Sequence, residues 1–260
     1  MVSDQSWEAI FHYIEADGHD FETDGPLPLS AKQIKAACQD FTKTAQKEVR
    51  ILCTQTTREM RPMVFKERDL FLLPTRNGYY CIIHGEGYMD VPEVPGEAKN
   101  YTSNLSFELE SSKVGNSEMQ HLDFAHASGL ICDFMEVDFL ALTIRGRKYT
   151  PRFIFNVGSN QIEVESVQTE VDAGYEGQDK IILIEAKNSK TTNTIIRQLY
   201  YPFRMWSAFT NKKVSTLFFE RRPGEEKPEF HLWKYEFENY KDYNSIELTK
   251  SGKYLIESKS

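Results

Sequence analysis

The sequence predicts an α/β protein, a central mixed β-sheet flanked by helices and preceded by a strand-rich α+β region. Three observations predict it. From Gly115 onward the pattern runs helix, strands, helix, strands, which is the order of a layered α/β core. Ile181-Ile182-Leu183-Ile184 is a short β-branched run that ends in charge, as a buried strand does at its exit. Apolar runs at 69–74 and 79–84 are joined through Thr75-Arg76-Asn77-Gly78, and Asn-Gly between two such runs is a strong hairpin signal.

The elements follow in order. Apolar residues at helical spacing predict a helix over 7–14, and Ser30 stands where it would cap a second helix through Ala37. Residues 50–110 read as strand-rich. Val91-Pro92-Glu93-Val94-Pro95-Gly96 reads as a loop, because two prolines and a glycine suit neither a helix nor a central strand. A boundary near residue 105 divides an N-terminal α+β region (1–105) from a second domain (106–260). Ser117 and Gln120 fit a capping box, with Met119, Leu122, Ala125 and Leu130 as the apolar positions of a helix to about Gly129. Strands are predicted at 139–144, 151–157, 161–171 and 181–187, a helix from Thr191 or Thr192 to about Phe209, and strands at 214–220 and 230–237.

The formal charge of −8 is concentrated at the N-terminus: Asp4, Glu8, Glu15, Asp17, Asp20, Glu22 and Asp24 precede the first Lys or Arg. The remainder is near neutral, so an acidic average does not exclude a basic groove. Arg145, Arg147, Lys148 and Arg152 form one cationic cluster; Lys187, Lys190, Arg197, Arg204, Lys212 and Lys213 follow. The apolar runs fall far short of the ~20 residues of a membrane-spanning helix. The first residues lack the basic and apolar segments of a secretory signal, and a cytoplasmic location is expected. Cys38, Cys53, Cys81 and Cys132 lie far apart without a CxxC pair, which argues for free thiols. His121 and His126, five apart, do not share a helix face as a zinc pair would.

Chemistry concentrates around residues 168–206. Strand alternation in Ile181-Ile182-Leu183-Ile184-Glu185-Ala186-Lys187 puts Glu185 and Lys187 on one face and Ile182, Ile184 and Ala186 on the other. Upstream, Gln168-Thr169-Glu170-Val171-Asp172 ends a strand in acid, and the glycine-containing stretch 173–177 reads as the turn of a hairpin. Such a hairpin brings Asp172 near Glu185; a register shift would substitute Glu170. Two converging carboxylates suit a hard divalent cation such as Mg²⁺, which neutralises a phosphate and acidifies water. Lys187 adds positive charge where a phosphodiester is attacked. The plainer alternative is a surface ion pair worth roughly 0 to 1 kcal/mol. In the following helix, Ile196, Leu199, Phe203 and Trp206 form a core-facing stripe and Arg197, Gln198, Tyr201 and Arg204 gather opposite. Gln198 is placed to order either the groups around the metal or the nucleophilic water, and Arg197 and Arg204 to hold phosphates. Pro202 is expected to kink this helix.

Val171-Asp172, the intervening stretch and Ile184-Glu185-Ala186-Lys187 resemble the PD-(D/E)XK nuclease superfamily. The wider block, at 115–131, 167–177 and 184–206, resembles bacterial type II restriction endonucleases. The resemblance implies a restriction-endonuclease-like core and sequence-specific, Mg²⁺-dependent cleavage of double-stranded DNA leaving 5′-phosphates, with Mn²⁺ able to substitute. It also implies metal binding by Asp172 and Glu185, Lys187 as the catalytic lysine, Glu118 as a further acid, a homodimer, and a cognate DNA methyltransferase in the same system. Val171 stands where the superfamily has proline before the first acid. DNA contacts are expected from Arg145, Arg147, Lys190, Arg197 and Arg204. The N-terminal region, with Arg58, Arg61, Lys66, Arg68 and Arg76, would assist recognition. Two readings compete: a RecB-like repair or defence nuclease, since Gln198-Leu-Tyr-Tyr201 is similar to that group's Q-x-x-x-Y but one residue short, and a non-catalytic DNA-binding protein.

Overall fold

The computed structural model describes residues 3–21, 25–224 and 227–259; Glu22 and Asp24 of the acidic N-terminal stretch lie outside them. The first part of the chain forms α1 (Asp4–Ala16), β1 (Leu27–Ser30), α2 (Ala31–Ala37), α3 (Thr44–Lys47), α4 (Val49–Leu52), α5 (Met63–Glu67), β2 (Leu70–Arg76) and β3 (Tyr79–His84). There follow β4 (Tyr88–Asp90), β5 (Lys99–Thr102), α6 (Glu118–Ala127), α7 (Leu130–Met135), β6 (Ala141–Tyr149), β7 (Phe153–Val157), β8 (Asn160–Val164) and β9 (Gln168–Glu176). The chain ends with β10 (Lys180–Lys187), β11 (Asn193–Ile195), α8 (Arg197–Ser207), β12 (Lys213–Arg222), β13 (Glu229–Phe237) and β14 (Ile246–Glu257). No helix among the described residues is long and apolar enough to cross a membrane.

The N-terminal elements obey their local signals. α1 buries Trp7, Ile10, Phe11 and Ile14 on one face. Ser30 caps α2 through a full capping box, its Oγ accepting from Gln33 N at 3.3 Å while Gln33 Oε1 accepts from Ser30 N at 2.9 Å. Such a cap contributes about 1 kcal/mol. β2 and β3 form the expected antiparallel hairpin, and Gly78 takes the positive φ of +76° that the turn demands. With β1 they make a three-stranded sheet in the order β1-β3-β2. Its apolar run Leu70–Leu73 does not alternate because both faces are covered. Leu70, Leu72 and Ile82 pack on α1, α2 and α5, whereas Phe71, Leu73, Cys81 and Ile83 join a core shared with β7, β8, α8 and β13. The stretch 58–67, expected among strands, is instead a 3-10 turn and α5.

The rest of the chain is mixed α/β, built on a seven-stranded sheet in the order β5-β14-β13-β12-β10-β9-β6. β10 runs parallel to β12 and antiparallel to β9; β5 is parallel to β14. Helices cover both faces. Leu122 and Ala125 of α6 and Leu130, Ile131 and Phe134 of α7 pack on Ile182, Ile184, Ala186, Leu217 and Phe219. Phe203 and Trp206 of α8 pack on Ile181, Leu183, Val171 and Val214. β4 pairs with β11, and β5, which also precedes residue 105, closes one end of the large sheet.

Four local expectations are corrected. β9 does not end at Asp172 but continues through Glu176, so 173–177 is strand and Asp172 sits mid-strand. Gly174 is there because Ile144 of β6 lies against it: a Cβ added at 174 would meet Ile144 Cβ at 2.6 Å. Thr191 and Thr192 do not start the helix, because Asn193–Ile195 are drawn into pairing with β4 and α8 begins at Arg197. The box at Ser117 is half formed. Its Oγ accepts from Gln120 N at 3.2 Å, but the Gln120 amide turns to the carbonyls of Ser111 and Val114. Finally, Met119, expected among the apolar positions facing the core, is exposed.

Candidate active site

β10 delivers its charged end into a cleft. Ile182, Ile184 and Ala186 enter the core under α6 and α7, so alternation leaves Glu185 and Lys187 on the α8 side. Antiparallel pairing with β9, in the register Ile184↔Ala173, brings Asp172 alongside. Asp172 Oδ2 accepts from Ala186 N at 2.8 Å, which fixes the acid to the strand that carries Glu185. Glu185, only 8 % exposed, accepts at Oε1 from Lys187 Nζ at 2.5 Å and from Gln198 Nε2 at 2.6 Å. The Gln198 carbonyl oxygen accepts in turn from the hydroxyl of buried Thr194. α8 thus holds Gln198 against the carboxylate with its amide orientation set.

The cleft has a volume of about 640 Å³, and Glu118, Asp172, Glu185, Lys187, Arg197 and Gln198 line it. Its electrostatics are unbalanced. Burial pushes the Glu185 carboxyl up to about 7, Lys187 opposes the shift, and Asp172 and Glu118 reinforce it. Burial also raises Asp172, against the Ala186 N–H and Lys187, which favour its charged form. For Lys187 burial disfavours the ammonium, yet the surrounding carboxylates, Glu185 first, hold its pKa above the usual lysine value. Lys187 therefore stays charged, and the cation does not neutralise all the acid around it.

The expected site residues divide. Asp172, Glu185, Lys187, Gln198, Glu118 and Arg197 share the cleft. Glu170 also lines it but is exposed and pairs with Arg147 at 3.1 Å. Arg145 pairs with Asp123 and Lys190 with Glu93, and neither lines the cleft. Arg204 is a correction. At 3 % exposure it lies in the core, donating to Tyr200 Oη at 2.8 Å and the Ile154 carbonyl at 3.1 Å and stacking on Tyr240, so a phosphate contact does not fit its position. Tyr201, grouped with the polar face, is likewise buried and donates to the Pro74 carbonyl at 2.9 Å. The N-terminal cations are also engaged: Arg58 with Glu86 and Asp90, Arg68 with Glu15, Arg76 with Glu163 and Glu165.

Two contributors escaped the sequence reading. Thr194 has no signal of its own, because helical spacing reads through a segment that is strand. Glu220 stands opposite Lys187 in the β10–β12 register and is fully buried. It accepts from Thr191 N at 2.8 Å and from Arg222 Nε at 2.6 Å, anchoring the loop after β10. The signal for it was present: Ser215-Thr216-Leu217-Phe218-Phe219-Glu220 is another apolar strand that runs into an acid.

The donor set fits Mg²⁺. Asp172 Oδ1 and Glu185 Oε2 accept no hydrogen bond from any described residue, leaving hard oxygens in an acid-rich cleft. Among the described residues no three His, Cys, Asp or Glu side chains cluster closely enough to hold a metal alone. Mg²⁺ does not require that, since it commonly takes one or two carboxylates plus water and substrate phosphate.

Residues 83–255, more than half of the chain, match a family described as a domain of unknown function, DUF6997. The chain belongs to that family. The DUF6997 region contains every cleft residue from Glu118 to Gln198. Residues 4–82 match a second domain of unknown function, DUF6996, and the two matches meet inside β3. Comparison with curated proteins and with solved structures gave no match.

Proposed function

We propose that this DUF6997 protein is a Mg²⁺-dependent, sequence-specific DNA endonuclease with a restriction-endonuclease-like core, cutting double-stranded DNA to leave 5′-phosphates. The observation that carries the reading is the trio Asp172, Glu185 and Lys187: two carboxylates with free oxygens and one charged ammonium at the mouth of an open cleft.

Asp172 and Glu185 hold the metal, which when bound supplies charge neutralisation at the phosphate and a more acidic water. Lys187 steadies the attacking water and the charge that builds on the phosphate oxygens, a preorganised charge in a partly dry site. Water gives up a proton to solvent as its oxygen bonds to phosphorus, the bond to the 3′ oxygen breaks, and that oxygen takes a proton from solvent to leave as a 3′-hydroxyl. Gln198, locked by Thr194, keeps the Glu185 carboxylate turned so that Oε2 remains available. Arg197, which has no carboxylate partner among the described residues, is available to a backbone phosphate. Double-strand cutting calls for a homodimer, and a sequence-specific cutter calls for a cognate DNA methyltransferase to protect its own genome.

The test is incubation of unmodified plasmid with purified protein and Mg²⁺ or Mn²⁺, beside Asp172→Ala and Lys187→Ala. Discrete fragments from the wild type alone are expected. Progressive degradation would favour a RecB-like activity. No cutting under any metal, or cutting by both variants at the wild-type rate, would reject the site.

A further inference from the structure

A second cavity of about 290 Å³ opens beside the cleft, between the β2–β3 hairpin, the segment after α4 and the start of β9. It shares Gln168 and Arg197 with the cleft, so a strand leaving one can enter the other. Its volume lies at the lower end of small-ligand pockets.

Its chemistry is specific. Gln55 lines it at 4 % exposure, and its Nε2 and Oε1, both enclosed in this conformation, have no hydrogen-bond partner among the described residues. Folding an amide out of water with neither group paired is costly, and native proteins rarely keep one without a ligand or water to satisfy it. An amide presents a donor beside an acceptor on one planar group, the complement of a nucleobase edge such as adenine's. Half-buried Tyr80 adds an aromatic wall. The cations suit phosphate. Arg50 is exposed and has no carboxylate partner among the described residues, and Arg197 has neither a carboxylate partner nor a bond at its buried Nε. Arg76, by contrast, is already paired with Glu163 and Glu165.

We propose that this cavity is a nucleotide-binding subsite, the Gln55 side chain turning its enclosed amide into the cavity to read the base edge and Arg50 and Arg197 holding the phosphate. The nucleotide comes either from the DNA strand running out of the cleft, which rests on the nuclease reading, or from a free mononucleotide.

The experiment measures binding of a short labelled duplex by fluorescence anisotropy and of the four 5′-mononucleotides by calorimetry, with wild type, Arg50→Ala and Gln55→Leu. Thermal melting checks each fold, and Gln55→Glu replaces Gln55→Leu if the latter does not fold. A lost base-edge pair is expected to weaken binding by about tenfold. Weaker duplex binding in both variants without mononucleotide binding assigns the site to the DNA strand. Mononucleotide binding to wild type that Gln55→Leu abolishes assigns it to a free nucleotide. Unchanged duplex affinity in both variants together with no mononucleotide binding overturns the proposal. If plasmid is cut but the variants bind as wild type does, the subsite fails and the nuclease stands. If plasmid is not cut but both variants weaken binding, the reverse holds.

Discussion

Two buried glutamates stand on neighbouring strands of the same sheet, Glu185 on β10 and Glu220 on β12, and their surroundings differ in one respect. Around Glu220 the charges balance: Glu220 and Glu93 meet Arg222 and Lys190, and both Glu220 oxygens accept hydrogen bonds. Around Glu185 they do not. Asp172 and Glu118 add to its charge, Lys187 opposes it, and one oxygen accepts no hydrogen bond from any described residue. A balanced buried cluster has what a structural anchor needs. An unbalanced one beside an open cleft has what a cation site needs.

The contrast can be broken at either end. The largest effect is expected at the balanced cluster: Glu220→Ala strips Arg222 and the Thr191 N–H of a buried partner and should cost about 3 to 5 kcal/mol in denaturant unfolding. At the unbalanced cluster, Lys187→Ala should lower the cleavage rate by about 10²- to 10³-fold, roughly 3 to 4 kcal/mol of barrier, with the melting temperature little changed. A rate drop from Glu220→Ala at temperatures where it is folded, as large as that from Lys187→Ala, would erase the distinction.

Protonation gives the next effect. Glu185 titrates near 7 when folded against 4.5 as the ordinary value, so the folded state holds this proton more tightly than the unfolded one. Its contribution to stability is full below pH 4.5 and is lost as pH rises through 7, by at most about 3 kcal/mol. Carbon-detected NMR of the glutamate carboxyls should find this titration, moved down in Asp172→Asn and up in Lys187→Met, because Asp172 raises it and Lys187 lowers it. The smallest effect is at the rim. Glu93, half exposed, is held at about 2 by its bonds to Lys190 and Arg222, and Glu93→Gln should cost no more than about 1 kcal/mol, with any loss in the wild type confined to strongly acidic pH.

The legible part of this molecule was what local pattern decides. Strand alternation was enough to place Glu185 and Lys187 together, because the apolar lead-in of β10 left its charged end a single choice of face. The Asn-Gly hairpin, the capping box of α2 and the Ser117 half of the α6 cap followed from turn and cap chemistry. What long-range packing decides was not legible. Gly174 looked like a turn residue until Ile144 lay against it, and Asn193–Ile195 looked helical until β4 paired with them. Arg204 looked like a surface cation, but Tyr200 of its own helix, Tyr240 and the Ile154 carbonyl enclose it, and no spacing rule reveals the cover that Tyr240 and Ile154 contribute from elsewhere in the chain. Neither β5 nor β14 had a strong enough local signal to be anticipated, although together they complete one end of the sheet.

Whether the uncompensated acid of the cleft is the proposed cation site is decided by calorimetric titration of Mg²⁺ into wild type, Asp172→Asn and Glu93→Gln. A saturable binding heat is expected in the wild type, lost in Asp172→Asn and kept in Glu93→Gln. No heat in the wild type, or the same heat in Asp172→Asn, would contradict the account.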